Sequence, residues 1–179
     1  MNKTLTICFL TLVLFVFNGC KKTKEEVDEI TEFDINYSSS VSVPSNTISL
    51  NTPVNFTTPE IPTASAGHLA TNKTTQSLVE SIKLTLFNVS VGTDNLDFLK
   101  SLTIYIKASG MSETLVASKN NIPSGITSIA LDLNDVNIKE YIFQPGIQFR
   151  VALEIDASTL NGQTLILDQT VHVKATIIK

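Results

Sequence analysis

The residues that could do chemistry in this 179-residue chain are few: two histidines, two cysteines and some closely spaced acidic residues. His68 lies in a segment of small residues, and His172 lies on the polar side of an alternating stretch. Neither has a sequence neighbour that would complete a metal site or a catalytic pair. Glu154 and Asp156 share one face of a predicted strand, and glycoside hydrolysis uses two such carboxylates. Alternating charge on a solvent-facing strand explains both without catalysis.

Motifs for enzyme nucleophiles are missing from the sequence. There is no Gly-x-Ser-x-Gly, no Ser-x-x-Lys and no His-Glu-x-x-His. Ser109-Gly110 and Ser124-Gly125 are turn residues. We therefore expect that the protein is not an enzyme and that it uses no cofactor.

Metal ligation has one weak group of candidates, Asp94, Asn95 and Asp97, whose side-chain oxygens suit calcium. Capping of a helical turn is the more ordinary use of such residues. The segment 132–137 fails as a calcium loop, because Val136 occupies a ligand position and no glycine follows. We expect no metal site.

The start of the chain has the pattern of an export signal. Lys3 supplies a positive charge, an apolar run covers Leu5 to Phe17, and a small residue precedes Cys20. The run is shorter than the roughly 20 apolar residues that a membrane helix needs. Phe17-Asn18-Gly19-Cys20 resembles the lipobox of bacterial lipoproteins. The resemblance implies that residues 1–19 are a signal peptide and that Cys20 is lipidated, for example with palmitate, and becomes the N-terminus.

A charged segment, residues 20–32, follows and is predicted to be a flexible tether. Lys21 stands where the inner-membrane retention signal of enterobacterial lipoproteins has Asp, so the resemblance implies an outer-membrane lipoprotein. Lys24, Glu25 and Glu26 also resemble the Lys-(Asp/Glu)2 signal that sends lipoproteins of the Bacteroidetes type to the cell surface. A solvated tether explains these three residues equally well, so the sequence leaves open whether the protein faces the cell surface or the periplasm.

The charge and the cysteine content limit the partners and the fold. Without residues 1–19, whose only charged residue is Lys3, 12 basic and 17 acidic residues remain. This acidic balance argues against nucleic-acid binding, which draws on a basic surface. Cys8 leaves with the signal and Cys20 takes the lipid, so the mature chain has no disulfide and depends on its hydrophobic core.

Alternation of apolar and polar residues predicts strands along most of the remaining chain. We expect a first strand from Phe33 and a long loop over residues 57–77. A long strand is predicted over residues 78–91, with a bulge or a crossing between sheets near Phe87. Short helical turns are predicted at residues 94–100 and 138–142, the second with a capping box formed by Asn137 and Glu140.

Two hairpins are also predicted. Strands 101–108 and 111–118 would pair with Ile104 opposite Leu115. The last two strands, from Ile147 to Ile155 and from Leu165 to Ile177, would pair through a Leu160-Asn161-Gly162 loop that places Leu167 opposite Ile155 and Gly162 in a left-handed conformation. Between these hairpins, Ile129, Leu131 and Leu133 are predicted to alternate on one strand.

These elements predict an all-β domain over residues 33–179, an antiparallel two-sheet β-sandwich of immunoglobulin-like type, with a closed β-barrel as second choice. We expect an outer-membrane-anchored lipoprotein that acts as a non-catalytic binding or structural module of the cell envelope. Its partners would be the membrane, through the lipid on Cys20, and an envelope protein or glycan. Tyr105 is the best candidate for an exposed aromatic residue.

Two alternatives stay open at this point. The first is a lipocalin-like carrier of a small apolar ligand, although the bulky inward rows of the last two strands favour a filled core. The second is a carbohydrate-active hydrolase that uses carboxylates on loops, which requires two of them to converge in a cleft.

Overall fold

The computed structural model describes residues 30–45, 53–92, 94–155 and 162–178. These form ten β-strands and two short α-helices, with a 3-10 turn at Gln76–Leu78. The strands are β1 Ile30–Val43, β2 Val54–Thr57, β3 Ile61–Pro62, β4 Val79–Val91, β5 Leu99–Ala108, β6 Thr114–Asn120, β7 Ser128–Ala130, β8 Asp132–Leu133, β9 Gly146–Ile155 and β10 Gln163–Thr176; the helices are α1 Ser65–Thr71 and α2 Lys139–Ile142.

The strands form two antiparallel sheets, which confirms the predicted β-sandwich. One sheet has four strands in the order β1-β10-β4-β7, and the other has six, in the order β2-β9-β5-β6-β8 with β3 also paired to β9. Both sheets are open at their edges within the described ranges, so the second choice, a closed barrel, is not formed.

The pairing of the strands is nested in sequence. The outermost pair is β1 with β10, then β2 with β9, β4 with β7, and β5 with β6. This nesting is the strand order of a jelly roll. It replaces the immunoglobulin-like order that we expected, in which the first and last strands lie in opposite sheets. Here β1 and β10 are neighbours in one sheet.

The first strand is longer than predicted. β1 begins at Ile30, three residues before Phe33, and continues through the serine-rich segment to Val43. Pairing with β10 satisfies the polar residues: Ser38 donates to Asp168 at 2.7 Å, and Thr170 donates to Asn36 at 2.8 Å. The local composition therefore predicts a shorter strand than the structure has, because β1 is stabilised by a partner strand more than a hundred residues away.

The bulge predicted near Phe87 is confirmed in β4. The register with β10 shifts so that Leu84 pairs with Val171 and Leu86 with Thr170, which leaves Thr85 without an opposite residue. The extra residue turns Leu86 outward, 43% exposed, whereas Ile82 and Leu84 are buried. Beyond the bulge, Phe87 returns to the core.

The predicted hairpin of the last two strands is wrong. Ile155 pairs with Leu99, and Leu167 pairs with Ser39 and Val89, so β9 and β10 belong to different sheets. The connection between them therefore crosses from one sheet to the other. Gly162, at φ +73°, does have the predicted left-handed conformation; Leu160 and Asn161 lie outside the described residues.

The hairpin of β5 and β6 is confirmed, with a different register. Ile104 pairs with Ala117 and Tyr105 with Leu115, because Val116 forms a bulge. Val116 and Ala117 are both fully buried as a result. The expected strand through Ile129 and Leu133 is divided: β7 pairs with β4, whereas β8 pairs with β6 in the other sheet.

The predicted long loop at residues 57–77 contains structure. It holds the end of β2, the short strand β3, helix α1 and the 3-10 turn. Tyr37 donates a hydrogen bond to the carbonyl of Thr63 at 3.0 Å, and the Thr74 hydroxyl donates to the carbonyl of Thr176 at 2.6 Å. Contacts with β1 and β10 thus order a segment that has little apolar content of its own.

The two predicted helical turns differ in outcome. Residues 94–98 form bends and a turn rather than a helix, and β5 begins at Leu99. Helix α2 is confirmed: the Asn137 side chain accepts a hydrogen bond from the Lys139 N–H at 3.2 Å. The reciprocal bond from Glu140, which a capping box requires, is not among the contacts of the described residues.

The core lies between the two sheets and continues from end to end. Phe87 of the four-stranded sheet meets Phe149 of the six-stranded sheet edge to face, with ring centroids 5.2 Å apart. The inward rows of β9 and β10 are buried throughout; they are Ile147, Phe149, Val151, Leu153, Ile155, Leu165, Leu167, Val171 and Val173. This filled interior positions the outer faces of both sheets rigidly.

Candidate functional site

The residues that carry the lipoprotein resemblance lie outside the described ranges. Cys20, Lys24, Glu25 and Glu26 therefore stay predictions from sequence, as does the place of Asp156. Within the ranges that are described, no helix has the length and hydropathy needed to cross a membrane.

The weak metal candidates use their side chains to hold loops. Asn95 accepts a hydrogen bond from the Asp97 N–H at 3.2 Å, and Asp97 accepts one from the Gly125 N–H at 2.5 Å. Asp94 contacts Gln163 at 3.4 Å. The three side chains thus have separate partners, and no group of three potential metal-ligating residues occurs in the described part of the chain.

The two histidines lie in different surroundings. His172 is on the outer face of β10, where its Nδ1 is 2.8 Å from Asp34 and its Nε2 is 3.7 Å from Glu32, both on β1. His68 lies in helix α1 and its carbonyl accepts hydrogen bonds from Asn72. His172 therefore belongs to a polar surface cluster that links two neighbouring strands.

Glu154 forms an ion pair with Lys100. Its oxygens accept hydrogen bonds from Lys100 at 2.6 Å and from Ser101 at 3.0 Å. These bonds, Lys100 first, hold the pKa of Glu154 below its ordinary value. A general acid of a glycosidase needs the opposite shift.

The best-organised polar cluster lies on the outer face of the six-stranded sheet, and we call it the Arg150 platform: Arg150, Tyr105, Glu113 and Asn55. The guanidinium carbon of Arg150 lies 3.9 Å from the centroid of the Tyr105 ring. Arg150 Nε donates to Glu113 at 2.7 Å, and Nη1 donates to Asn55 at 2.7 Å. Contacts from β2, from β5 and from the loop before β6 therefore hold Arg150 of β9 over the Tyr105 ring.

The electrostatics of the platform keep Arg150 charged. Partial burial of the guanidinium opposes its charge, but the hydrogen bond and charge of Glu113, with a contribution from Tyr105, raise the pKa of Arg150 above its ordinary value. Arginine stacked on an aromatic ring presents a flat surface with hydrogen-bond donors at its rim. Such a surface can bind a partner without any chemical step.

Next to the platform, the outer face has a row of small side chains. Thr103 pairs with Ala152 on one side and with Ser118 on the other, and all three are partly exposed. The next row contains the Lys100–Glu154 ion pair. The small row lies between two rows of long side chains on β9, β5 and β6, and we call it the trough.

Open grooves occur elsewhere on the surface. One of about 380 Å³ lies beside helix α1 between residues 63–67 and 143–145, and another of about 240 Å³ lies between Gly92 and Gly162. The first is mainly apolar. Neither brings together a charged residue and an aromatic ring as the platform does.

Sequence reasoning found part of this site. Alternation placed Tyr105 on the polar face of its strand, as the structure does. It did not find that Tyr105 contacts Arg150, because β5 and β9 are distant in sequence and their pairing was not predicted. Asn55 and Glu113 were missed, since isolated polar residues at strand ends and turns give no signal of their own.

Comparisons with known proteins give little further information. No protein-family model and no curated protein matches the chain. Among solved structures, a chain in the cryo-EM structure of Mud crab tombus-like virus aligns over 94% of this chain and 99% of its own length. The identity is 9% and the TM-score 0.32, a likeness too low to carry an argument about function.

Proposed function

We propose that the protein is an outer-membrane lipoprotein, anchored through Cys20, that binds a linear glycan of the cell envelope without catalysis. Two features support the proposal: the lipobox-like residues ending at Cys20, and the Arg150 platform beside its trough. The platform is the observation that carries the binding role.

The anchor and the domain have a workable spacing. Cys20 precedes the first residue of β1, Ile30, by ten positions. Ten residues span at most about 35 Å when fully extended. A sandwich held at this distance can turn its outer faces to the surrounding envelope.

The shape and chemistry of the trough favour a chain-like ligand. Neighbouring strands are about 4.8 Å apart, so the trough, which covers β9, β5 and β6, spans roughly 10 Å. Sugar rings can pack on the flat Arg150 guanidinium that covers the Tyr105 ring, and their hydroxyls can accept hydrogen bonds from it. Arg and Tyr are also the residue types that supply much of the binding energy at interfaces.

The anchoring role is tested by fatty-acid labelling of cells that produce the full chain or Cys20→Ala. We expect label in the outer-membrane fraction for the unchanged chain and none for Cys20→Ala. Digestion by protease added to intact cells would show that the domain faces outward. Label that persists in Cys20→Ala would contradict lipidation at this residue.

The binding role is tested with immobilised polysaccharides purified from the envelope of the producing bacterium. We expect retention of the full chain, and at least a tenfold loss of affinity in Tyr105→Ala and in Arg150→Ala, since hot-spot truncations cost about 2 kcal/mol or more. Thr170→Ala, on the outer face of the other sheet, is the matched control. Equal retention of all four proteins would contradict a role for the platform, and retention of none would contradict glycan binding.

A further inference from the structure

The four edges of the sandwich differ sharply in length. At three of them the outermost strands are short: β7 has 3 residues, β8 has 2, and β2 and β3 have 4 and 2. β1, the outermost strand of the four-stranded sheet, has 14. Short edge strands protect a sheet from pairing with other chains. Among the strands that the structure describes, β1 alone lacks this protection at an edge.

Nothing in β1 interrupts its free side. Its register with β10 runs without a shift from Ile30 opposite Thr176 to Val43 opposite Gln163. It contains no proline, glycine, lysine or arginine, the residues that commonly blunt an edge strand or break its ladder.

The main-chain groups of β1 are available on the side away from β10. Within the described ranges, β1 pairs with no strand other than β10, and no further hydrogen bond reaches its main chain. Its outward side chains are all exposed: Glu32, Asp34, Asn36, Ser38, Ser40 and Ser42. A long row of unpaired N–H and C=O groups is a template for an added strand.

We propose that β1 is a self-association edge, at which β1 of a second copy of this chain pairs antiparallel and joins two four-stranded sheets into one of eight strands. A two-fold interface of this kind brings the same surface of both copies together. It also removes the long open edge from both copies at once.

The sequence of β1 is complementary to itself in a register that pairs Thr31 to Val43 of the two copies. With Tyr37 on the two-fold axis, Asp34 lies opposite Ser40 of the second copy and Glu32 lies opposite Ser42. Phe33 then lies opposite Val41 on the inner face. No like charges face each other, and the inner and outer faces of the two sheets stay continuous, which a slip of one residue would destroy.

This register predicts that two substitutions of Ser40 shift the dimer dissociation constant in opposite directions. Ser40→Asp places a carboxylate opposite Asp34 of the second copy, and Ser40→Lys places an ammonium group there. A directly opposed pair changes pairing by about 0.2–1 kcal/mol, and the symmetry creates two pairs per dimer. We therefore expect the dimer dissociation constant to rise about 2- to 30-fold in Ser40→Asp and to fall by a similar factor in Ser40→Lys.

The experiment measures the protein mass of the full chain in detergent by light scattering after size-exclusion chromatography, over a dilution series. We expect twice the chain mass at high concentration and the two opposite shifts above. Ser90→Asp and Ser90→Lys, on the interior strand β4 of the same sheet, are the matched controls and should leave the dissociation constant unchanged. A monomer at every concentration overturns the proposal. A dissociation constant that is unchanged in both Ser40 variants, or that shifts in the same direction in both, overturns it as well.

Discussion

At the scale of single residues, three side chains show how position decides chemistry. Tyr37 and Tyr105 are the same residue type, but Tyr37 points into the core and Tyr105 lies under a guanidinium on the outer face. Gln169 occupies an inward position of β10 between Tyr37 and Phe87 and is 2% exposed. Neither polar atom of its amide has a partner within the described ranges, a situation that costs folding free energy. The alternating pattern predicts which face of the sheet each side chain lies on, but not which residues that side chain contacts.

Tyr37 gives the fold a dependence on alkaline pH. Burial raises the pKa of Tyr37 from 10.0 to about 12. The unfolded chain therefore loses this proton before the folded chain does, so the contribution of Tyr37 to stability is complete below about pH 10 and is lost as the pH rises towards 12.

We expect the urea midpoint of the unchanged protein to fall between pH 10 and pH 12 more steeply than that of Tyr37→Phe. At pH 7, Tyr37→Phe should be less stable by about 1 kcal/mol, because the hydrogen bond to the Thr63 carbonyl is lost. Tyr105→Phe, as control, should keep the steep fall. Parallel curves for Tyr37→Phe and the unchanged protein would contradict this role of Tyr37.

At the scale of elements, the segment after β2 shows how a side chain continues a sheet where the strand stops. The Thr58 N–H donates to the Phe149 carbonyl, and the Thr58 hydroxyl accepts from the Phe149 N–H, both at 2.9 Å. The Thr58 carbonyl accepts from the Gln148 side chain at 3.2 Å. Thr58 is 2% exposed, so these hydrogen-bonding groups are shielded from water. Thr58 therefore supplies the partners that the buried main chain of Phe149 needs.

Thr58→Val keeps the shape of the side chain and removes the hydroxyl. We expect the free energy of unfolding to fall by about 1–3 kcal/mol, because the Phe149 N–H is left buried without its acceptor. Urea denaturation measures the change. Thr57→Val, one residue earlier and exposed, should change stability by no more than about 0.5 kcal/mol. Equal effects at both positions would show that the hydroxyl of Thr58 adds nothing.

At the scale of the whole molecule, the nested pairing brings the first and the last described strands together. β1 and β10 are adjacent along their full lengths. The filled core between the sheets argues against a carrier with an internal cavity. Hydrogen bonds from Lys100 and Ser101 lower the pKa of Glu154, which argues against its use as a general acid.

The sequence by itself determined the class of fold, most strand positions, the inward rows, the bulge in β4 and the residues that resemble a lipoprotein signal. These depend on local order: side chains alternate along a strand whatever it pairs with. Apart from the β5–β6 hairpin, only the tertiary structure decided which strands are neighbours, and it replaced the predicted final hairpin by two strands in different sheets. Pairing depends on how all the apolar faces are buried together, so short-range pattern cannot specify it. The Arg150 platform and the open edge of β1 were likewise decided by the tertiary structure, because each is a relation between residues far apart in the chain.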